Sequence, residues 1–238
     1  MLGTVNVYNI FYGIWPSSSQ QCPTFEISTY YPHFHKQIVD DFISRISDSD
    51  YWNIEKAYHD GSNRNITGPV VKKDSIVNSF SKGSRLTENN MTQIIEDAFA
   101  SGMAQDENGI YFILTSEDVT VSGFCNTNKL IKYSFVGVPE KCMSNCSLLN
   151  QESSPNGNPP VDAMISVIAH ELVEAVSDPL GDAWFDKQGE ENADKCIFEY
   201  GKTFKGVNGS LYNIELGDRK YLIQQNWNPV TQSCAMTA

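Results

Sequence analysis

Apolar residues follow two periods along this chain, one typical of buried strands and one typical of helices. The first segment alternates apolar and polar residues and then becomes continuously apolar, which indicates a strand entering a buried sheet. Shorter apolar runs indicate further strands, and recurrence every three to four residues indicates helices. The predicted strands are 5–15, 70–80, 110–115 and 132–138. The predicted helices are 32–47, 51–59 and one that begins after Thr87 as N-cap and ends before Gly102.

A longer apolar helix is predicted over 162–178, with Asp162 as its N-cap and Pro179 just beyond its end. After it the chain is rich in loop residues, with a hairpin predicted from segments 210–214 and 220–224. This order of elements predicts an α/β (α+β) fold in which helices pack on a mixed β-sheet. No linker composition divides the chain, so residues 1–238 are expected to form a single domain with a loop-rich C-terminal part.

The polar face of the 162–178 helix carries His170, Glu171 and Glu174. Residues four apart share a helix face, so His170 and Glu174 can bind one cation while Glu171 points towards a bound water. This is the arrangement of a zincin active-site helix, except that the second ligand is a carboxylate instead of a second His. The third ligand is expected from the acid-rich loop that follows, either Glu191 or Asp194, with a slight preference for Asp194.

A different interpretation of the same residues is that His170 buttresses the helix and the acids form a solvated face. A helix that buries a His and two Glu must pair or coordinate them, because an isolated buried charge costs several kcal/mol. We therefore favour the metal. A carboxylate-rich site admits calcium or another divalent ion, but an imidazole ligand favours zinc. Trp184 and Phe185, which follow the helix, are assigned to core packing rather than to a substrate cleft.

Composition excludes several classes of partner. The 238 residues are 40% hydrophobic, sufficient for a core, and the formal net charge of -12 opposes binding to nucleic acid. No apolar run is long enough for a transmembrane helix. No G-x-S-x-G elbow supports Ser-His-Asp catalysis. Residues 1–4 lead directly into the first strand, so the sequence is expected to start at a mature domain.

An even number of cysteines and several glycosylation sequons favour an oxidising, secretory compartment. The six cysteines are Cys22, Cys125, Cys142, Cys146, Cys196 and Cys234, and the sequons begin at Asn65, Asn90, Asn145 and Asn208. Their pairing is not fixed by the sequence, although Cys142 and Cys146 are close enough for a local loop. We expect a secreted, disulfide-bonded glycoprotein.

Three segments resemble the EXORDIUM, or phosphate-induced, protein family, known best from plant cell walls. They are VNVYNIFYGIW near the start, YFILTSEDVTVSGFC at 111–125 and DRKYLIQQNWNPVTQSC at 218–234, in the same order as in the family. The plant members lack the His-Glu pair in the corresponding helix. The resemblance implies a secreted protein linked to growth, without an established enzymatic activity.

The chain also resembles microbial relatives that carry HELxEAxxDP, then W-[FY]-D, then E-x-x-D-x-C. These elements are present as HELVEAVSDP at 170–179, WFD at 184–186 and ENADKC at 191–196. The resemblance implies a zincin-like fold in which His170 and Glu174 are ligands and Glu171 is the general base. Glu191 or Asp194 is the remaining ligand.

Two functions follow as expectations. The first is a secreted zincin-like metalloprotein, a zinc-dependent peptidase that cleaves extracellular or cell-wall proteins with Glu171 as general base. The second is a non-catalytic extracellular signalling or wall-associated protein in which zinc or calcium ties the acid-rich loop to the helix. A peptide or protein substrate is the partner expected for the first.

Overall fold

The computed structural model of the protein describes residues 1–15, 34–122 and 132–238. Its helices are α1 (Phe34–Arg45), α2 (Asp50–Glu55), α3 (Glu88–Ala100), α4 (Met143–Cys146) and α5 (Pro159–Ser177). The strands of its first half are β1 (Val5–Tyr12), β2 (Val70–Asn78), β3 (Arg85–Thr87), β4 (Gly109–Thr115), β5 (Thr120–Ser122) and β6 (Lys132–Gly137). The second half has β7 (Phe204–Lys205), β8 (Leu211–Tyr212), β9 (Ile214–Leu216), β10 (Arg219–Tyr221), β11 (Asn226–Asn228) and β12 (Ser233–Ala235).

The main sheet has four strands in the order β2-β1-β4-β6, and all three pairings are parallel. The predicted α/β class is confirmed. The predicted mixed sheet is wrong for the described residues, because the antiparallel strands form separate two-stranded pairs in the C-terminal part. Long connections that contain helices return the chain to the same end of the sheet after β1 and after β2, and this makes the neighbouring strands parallel.

The two faces of the sheet bury different residues, as strand geometry requires. Val5, Val7 and Phe11 of β1 face a large core with α1, α2 and α5, whereas Tyr8 and Ile10 face a smaller core with α3. Asn9 lies fully buried in β1, where its amide donates to Asp40 Oδ1 of α1 at 3.0 Å. Helices therefore cover both faces, which explains why β1 and β4 read as nearly continuous apolar runs.

The predicted elements of the first half are present with small changes at their ends. Thr87 is the N-cap of α3 as predicted, and it forms a capping box with Asn90, whose Oδ1 accepts from the Thr87 amide at 2.8 Å. The C-terminal hairpin is shifted from its predicted position, since Ile214 pairs with Tyr221 and Leu216 with Arg219. Gly217, at φ 60°, lies in the turn. The two strands of the hairpin are therefore separated by fewer residues of sequence than the predicted segments 210–214 and 220–224.

Within the described ranges, a disulfide joins Cys196 to Cys234, across a sequence separation of 38 residues. Cys142, just before α4, and Cys146, at its end, are free thiols whose Sγ atoms lie 3.8 Å apart. Cys22 and Cys125 lie outside the described residues. None of the helices in the described part of the chain combines the length and hydropathy that a bilayer crossing requires.

Loss of this disulfide should lower the free energy of unfolding by about 2 to 4 kcal/mol, because the bond restricts a long loop in the unfolded chain. The variant Cys196→Ser with Cys234→Ser tests this by denaturant unfolding. Cys142→Ser is the matched control and should change stability by less than about 0.5 kcal/mol, because that side chain is exposed. Equal unfolding midpoints for the double variant and the unchanged protein would contradict the prediction.

Candidate metal centre

The helix α5 carries His170, Glu171 and Glu174. Asn158 is its N-cap, with Oδ1 accepting from the Val161 amide at 3.2 Å, and Pro159 and Pro160 form its first turn. The predicted start at Asp162 is therefore wrong by one turn. Asp162 instead accepts from Ser154 and Asn156, fixing the loop that enters the helix. Proline suits the first turn because its missing N–H would have no helical partner there.

Asp178 is the C-cap of α5, so the helix ends one residue before the predicted position. Its Oδ1 accepts from the backbone amides of Asp182 and Ala183 at 2.8 and 3.0 Å, which turns the chain sharply after Pro179. An apolar stripe on the opposite side of the helix from the polar residues is buried. Its members, all at 0% exposure, are Val161, Ile165, Ile168, Leu172 and Val176.

Three side chains converge beside this helix: His170, Glu174 and Asp194. His170 Nε2 lies 3.0 Å from Glu174 Oε1 and 3.4 Å from Asp194 Oδ1. One ligand atom from each residue lies within 4.8 Å of the other two. Helical spacing brings His170 and Glu174 together, and the loop after the helix returns Asp194 to them.

Asp194 is held in place by its own backbone and by the residues beside it. Its amide donates to Glu174 Oε1 at 3.1 Å, and its Oδ2 accepts from the Glu191 amide at 3.2 Å. It begins a short 3-10 turn, Asp194–Cys196, whose last residue forms the disulfide with Cys234. The loop end that presents Asp194 is thus tied to α5 on one side and to β12 on the other.

A second support of this loop comes from Glu55 of α2, which is fully buried. Its Oε1 accepts from Asn192 Nδ2 at 3.0 Å and from Asn226 Nδ2 at 2.7 Å. Burial raises the pKa of Glu55 to about 8, against the opposing effect of these two amides. Glu55 therefore ties α2 to the Asp194 loop and to β11.

Glu171 lies next to the three converging residues but outside their group. Its Oε2 accepts a hydrogen bond of 2.6 Å from Ser134 Oγ in β6. Burial raises its pKa, although the Ser134 hydroxyl and the neighbouring His170 favour the charged form. A carboxyl group held in one orientation with a raised pKa is suited to accept a proton.

Glu191 is not brought into the group that contains His170. Its carboxyl pKa is nevertheless raised to about 8, by burial and then by the charges of Glu174, Asp178 and Asp194. Of the two predicted third ligands, Asp194 is the one that the loop places against His170, while Glu191 lies outside this group.

The electrostatics at His170 are dominated by the surrounding carboxylates. Burial by itself would lower the pKa of the ring, but hydrogen bonds with Asp194 and Glu174 outweigh it and raise the pKa to about 10. The ring contacts the carboxylates of Glu174 and Asp194 rather than main-chain atoms alone. Binding of a cation at Nε2 competes with a proton.

The donor set fits a divalent transition metal. Two ligand atoms on a zinc tetrahedron with ligand distances of 2.0 to 2.1 Å are about 3.3 Å apart. The separations from His170 Nε2 to Glu174 and Asp194, 3.0 and 3.4 Å, are close to that value. One imidazole and two carboxylates form three ligands of the kind that zinc accepts, and a fourth position remains for water or substrate.

An apolar cavity of about 480 Å³ opens at the C-terminal end of α5, where Val176, Leu180 and Trp184 contribute to its lining. The Trp184 ring packs edge-on against Tyr58, and its Nε1 donates to His59 O at 2.7 Å. Core packing was predicted for Trp184 and Phe185, but their exposed fractions are 37% and 52%. The prediction is wrong because both residues lie in the surface loop after Pro179.

Sequence reasoning missed four residues around the centre: Ser134, Gln224, Glu55 and Asn192. The side-chain amide of Gln224 contacts His170 Nδ1 across 54 residues of sequence, and Ser134 of β6 contacts Glu171 of α5. No local pattern marks these positions, because each contact depends on how distant elements pack.

Comparison with known proteins places the chain in a family. The model of the phosphate-induced protein 1 conserved region matches residues 1–237. The chain belongs to this phosphate-induced protein family. Among curated relatives, Protein EXORDIUM-like 5 of Arabidopsis thaliana is 29% identical, over 97% of this chain and 73% of its own length. Protein EXORDIUM-like 3 of the same plant is 28% identical, over 98% and 80% respectively.

Protein PHOSPHATE-INDUCED 1 of Nicotiana tabacum is 24% identical over 84% of this chain and 79% of its own length. The family resemblance predicted from three sequence segments is thereby confirmed. No solved structure matches the chain.

Proposed function

We propose that this phosphate-induced family protein is a zincin-like metalloprotein and a metal-dependent peptidase that acts on extracellular or cell-wall proteins. The observation that carries the proposal is the convergence of His170 Nε2, Glu174 Oε1 and Asp194 Oδ1. Glu171 stands beside them on the same helix. Peptide hydrolysis needs a Lewis acid and a general base at one place, and these four side chains supply the ligands and the base.

The chemistry divides between the ion and the chain's own residues. A bound zinc ion would make a water molecule more acidic and polarise a substrate carbonyl. Glu171 accepts the proton of the attacking water and returns it to the leaving amine. Ser134 holds the Glu171 carboxylate through its 2.6 Å hydrogen bond, so the base does not have to reorient during the reaction.

The second candidate is a non-catalytic extracellular signalling or wall-associated protein in which the ion has a structural role. Two anionic ligands favour it, since Glu174 and Asp194 neutralise a divalent cation and leave bound water less acidic than neutral imidazoles would. An ion at this place would join α5 to the loop that ends at Asp194. Peptide cleavage distinguishes the two candidates.

Secretion is part of the same proposal. The Cys196–Cys234 disulfide is typical of an oxidising compartment. Among the sequon residues, Asn65, Asn145 and Asn208 are exposed. The Asn65 amide donates to Lys56 O and the Asn208 amide to Ser154 O, so Asn145 is the most accessible of these glycosylation sites.

Metal analysis tests the centre directly. Protein purified without a polyhistidine tag and dialysed against trace zinc should retain about one zinc per chain by mass spectrometry. His170→Ala should lose zinc affinity by at least about 100-fold, because it removes a ligand. Glu190→Ala, an exposed acid in the same loop, is the control and should retain the metal. Equal and negligible zinc in all three proteins would overturn the proposal.

A further inference from the structure

The imidazole of His170 has a partner on each of its two nitrogens. Nε2 faces Glu174 and Asp194, and Nδ1 is in hydrogen-bond contact with the side-chain amide of Gln224. Gln224 is 5% exposed, so its amide is bound to the ring in a place that solvent does not reach freely. The ring is thus held from the side opposite the converging carboxylates.

Gln224 is itself fixed by its backbone. Its amide N–H donates to Ser166 Oγ at 3.0 Å, and Ser166 lies four residues before His170 on the same face of α5. On either side, the Ile223 amide donates to Asn213 Oδ1 at 3.0 Å and the Gln225 amide to Glu199 O at 2.6 Å. The segment that carries Gln224 therefore has little freedom to move relative to the His170 ring.

The chemistry of imidazole decides what this contact must provide. When Nε2 uses its lone pair to bind a cation, the ring's remaining proton has to sit on Nδ1, and a buried N–H needs an acceptor. The amide nitrogen of Gln224 faces Nδ1 in the structure. A half-turn of the amide group exchanges its nitrogen and oxygen at nearly the same positions, so the same residue can offer Oε1 as that acceptor.

We propose that Gln224 is a positioning residue of the metal centre, which accepts a hydrogen bond from Nδ1–H of His170 through Oε1 and so directs the Nε2 lone pair at the cation. This inference rests on the proposed function, because it assigns a role within the same centre. Metal-binding histidines generally have such an outer partner, and loss of one typically weakens metal binding 10- to 100-fold.

Two substitutions of Gln224 differ in whether they offer an acceptor to Nδ1 of His170. Gln224→Leu keeps the approximate size but offers no acceptor, so we expect zinc affinity to fall 10- to 100-fold. Gln224→Glu offers a carboxylate acceptor of similar shape and should bind zinc at least as tightly as the unchanged protein. A role limited to core packing predicts no such difference, because both side chains fill similar space.

Zinc dissociation constants are measured by competition with a chromophoric chelator, using Zn²⁺ alone as the probe. Gln225→Leu is the matched control, since its side chain contacts Cys234 O and not His170. Long-range ¹H–¹⁵N spectra of the zinc-loaded proteins give a second measurement. His170 should show a proton on Nδ1 in the unchanged protein and in Gln224→Glu. This measurement does not depend on the stability of Gln224→Leu.

The outcomes separate the two proposals. If the unchanged protein binds zinc and Gln224→Leu binds it equally well, the role of Gln224 is refuted while the metal centre stands. A zinc-loaded His170 that carries its proton on Nε2 refutes the role as well. If the unchanged protein does not bind zinc, the proposed function and this inference fail together.

Discussion

Replacing Glu171 with Gln is expected to lower the rate of peptide cleavage by about 10²- to 10⁴-fold, because the amide cannot accept a proton from water. The substitution keeps the shape of the side chain and its contact with Ser134, whose hydroxyl donates to Glu171 Oε2 at 2.6 Å. Zinc content should stay unchanged, since Glu171 lies outside the group formed by His170, Glu174 and Asp194. The measurement is cleavage of a mixed peptide library, followed by mass spectrometry.

Glu190→Gln serves as the control, because this exposed acid lies in the loop between α5 and Asp194. It should cleave peptides at the rate of the unchanged protein. If the unchanged protein and Glu171→Gln both bind zinc and neither cleaves, the peptidase proposal is refuted and the structural role of the ion is favoured. Cleavage at equal rates by both would refute the assignment of Glu171 as the base.

Replacing Glu55 with Gln is expected to stabilise the protein increasingly as the pH rises from about 5 to 8. Burial raises the pKa of this carboxyl from 4.5 to about 8, so the folded state holds a proton that the unfolded chain releases above its own pKa. Folding then costs about 1.4 kcal/mol more for each pH unit in this window, on the order of 4 kcal/mol by pH 8. Below pH 4 the carboxyl is protonated in both states, and the cost vanishes.

Glutamine removes this proton linkage and keeps an oxygen for the two amide donors, Asn192 and Asn226. The difference in unfolding free energy between the variant and the unchanged protein is measured against pH by urea denaturation, with a chelator present. The exposed Glu152→Gln is the control and should give a constant difference. A Glu55→Gln difference that does not change between pH 5 and 8 would contradict the prediction.

Local patterns predicted the elements well, because strand alternation, helical spacing and caps act over a few residues. Thr87 and the apolar stripe of α5 are examples. The position of β1 between β2 and β4 could not be predicted in this way, since strand order depends on how the helices cover the two faces. The start of α5 was misplaced because Asp162 is a good cap by composition, yet Asn158 before two prolines holds that position.

The residues of the candidate centre that are close in sequence could be predicted, and the distant ones could not. His170 and Glu174 follow from one helix, whereas the choice between Glu191 and Asp194 depended on the course of a long loop. The hydrogen bond from the Asp194 amide to Glu174 Oε1 joins that loop to α5 and places Asp194 beside His170. Gln224 approaches from a segment far away in sequence, and no spacing rule could indicate it.

The central position of β1 has a consequence for how the chain acquires its structure. Val5 pairs with Val70 and Asn6 with Gly109, so β1 is hydrogen-bonded on both edges only after two segments distant in sequence have joined it. Pairings this distant in sequence slow folding. Until they form, the apolar strand is exposed and can associate incorrectly. We therefore expect refolding of the denatured protein to be limited by the assembly of β1 with its two neighbours.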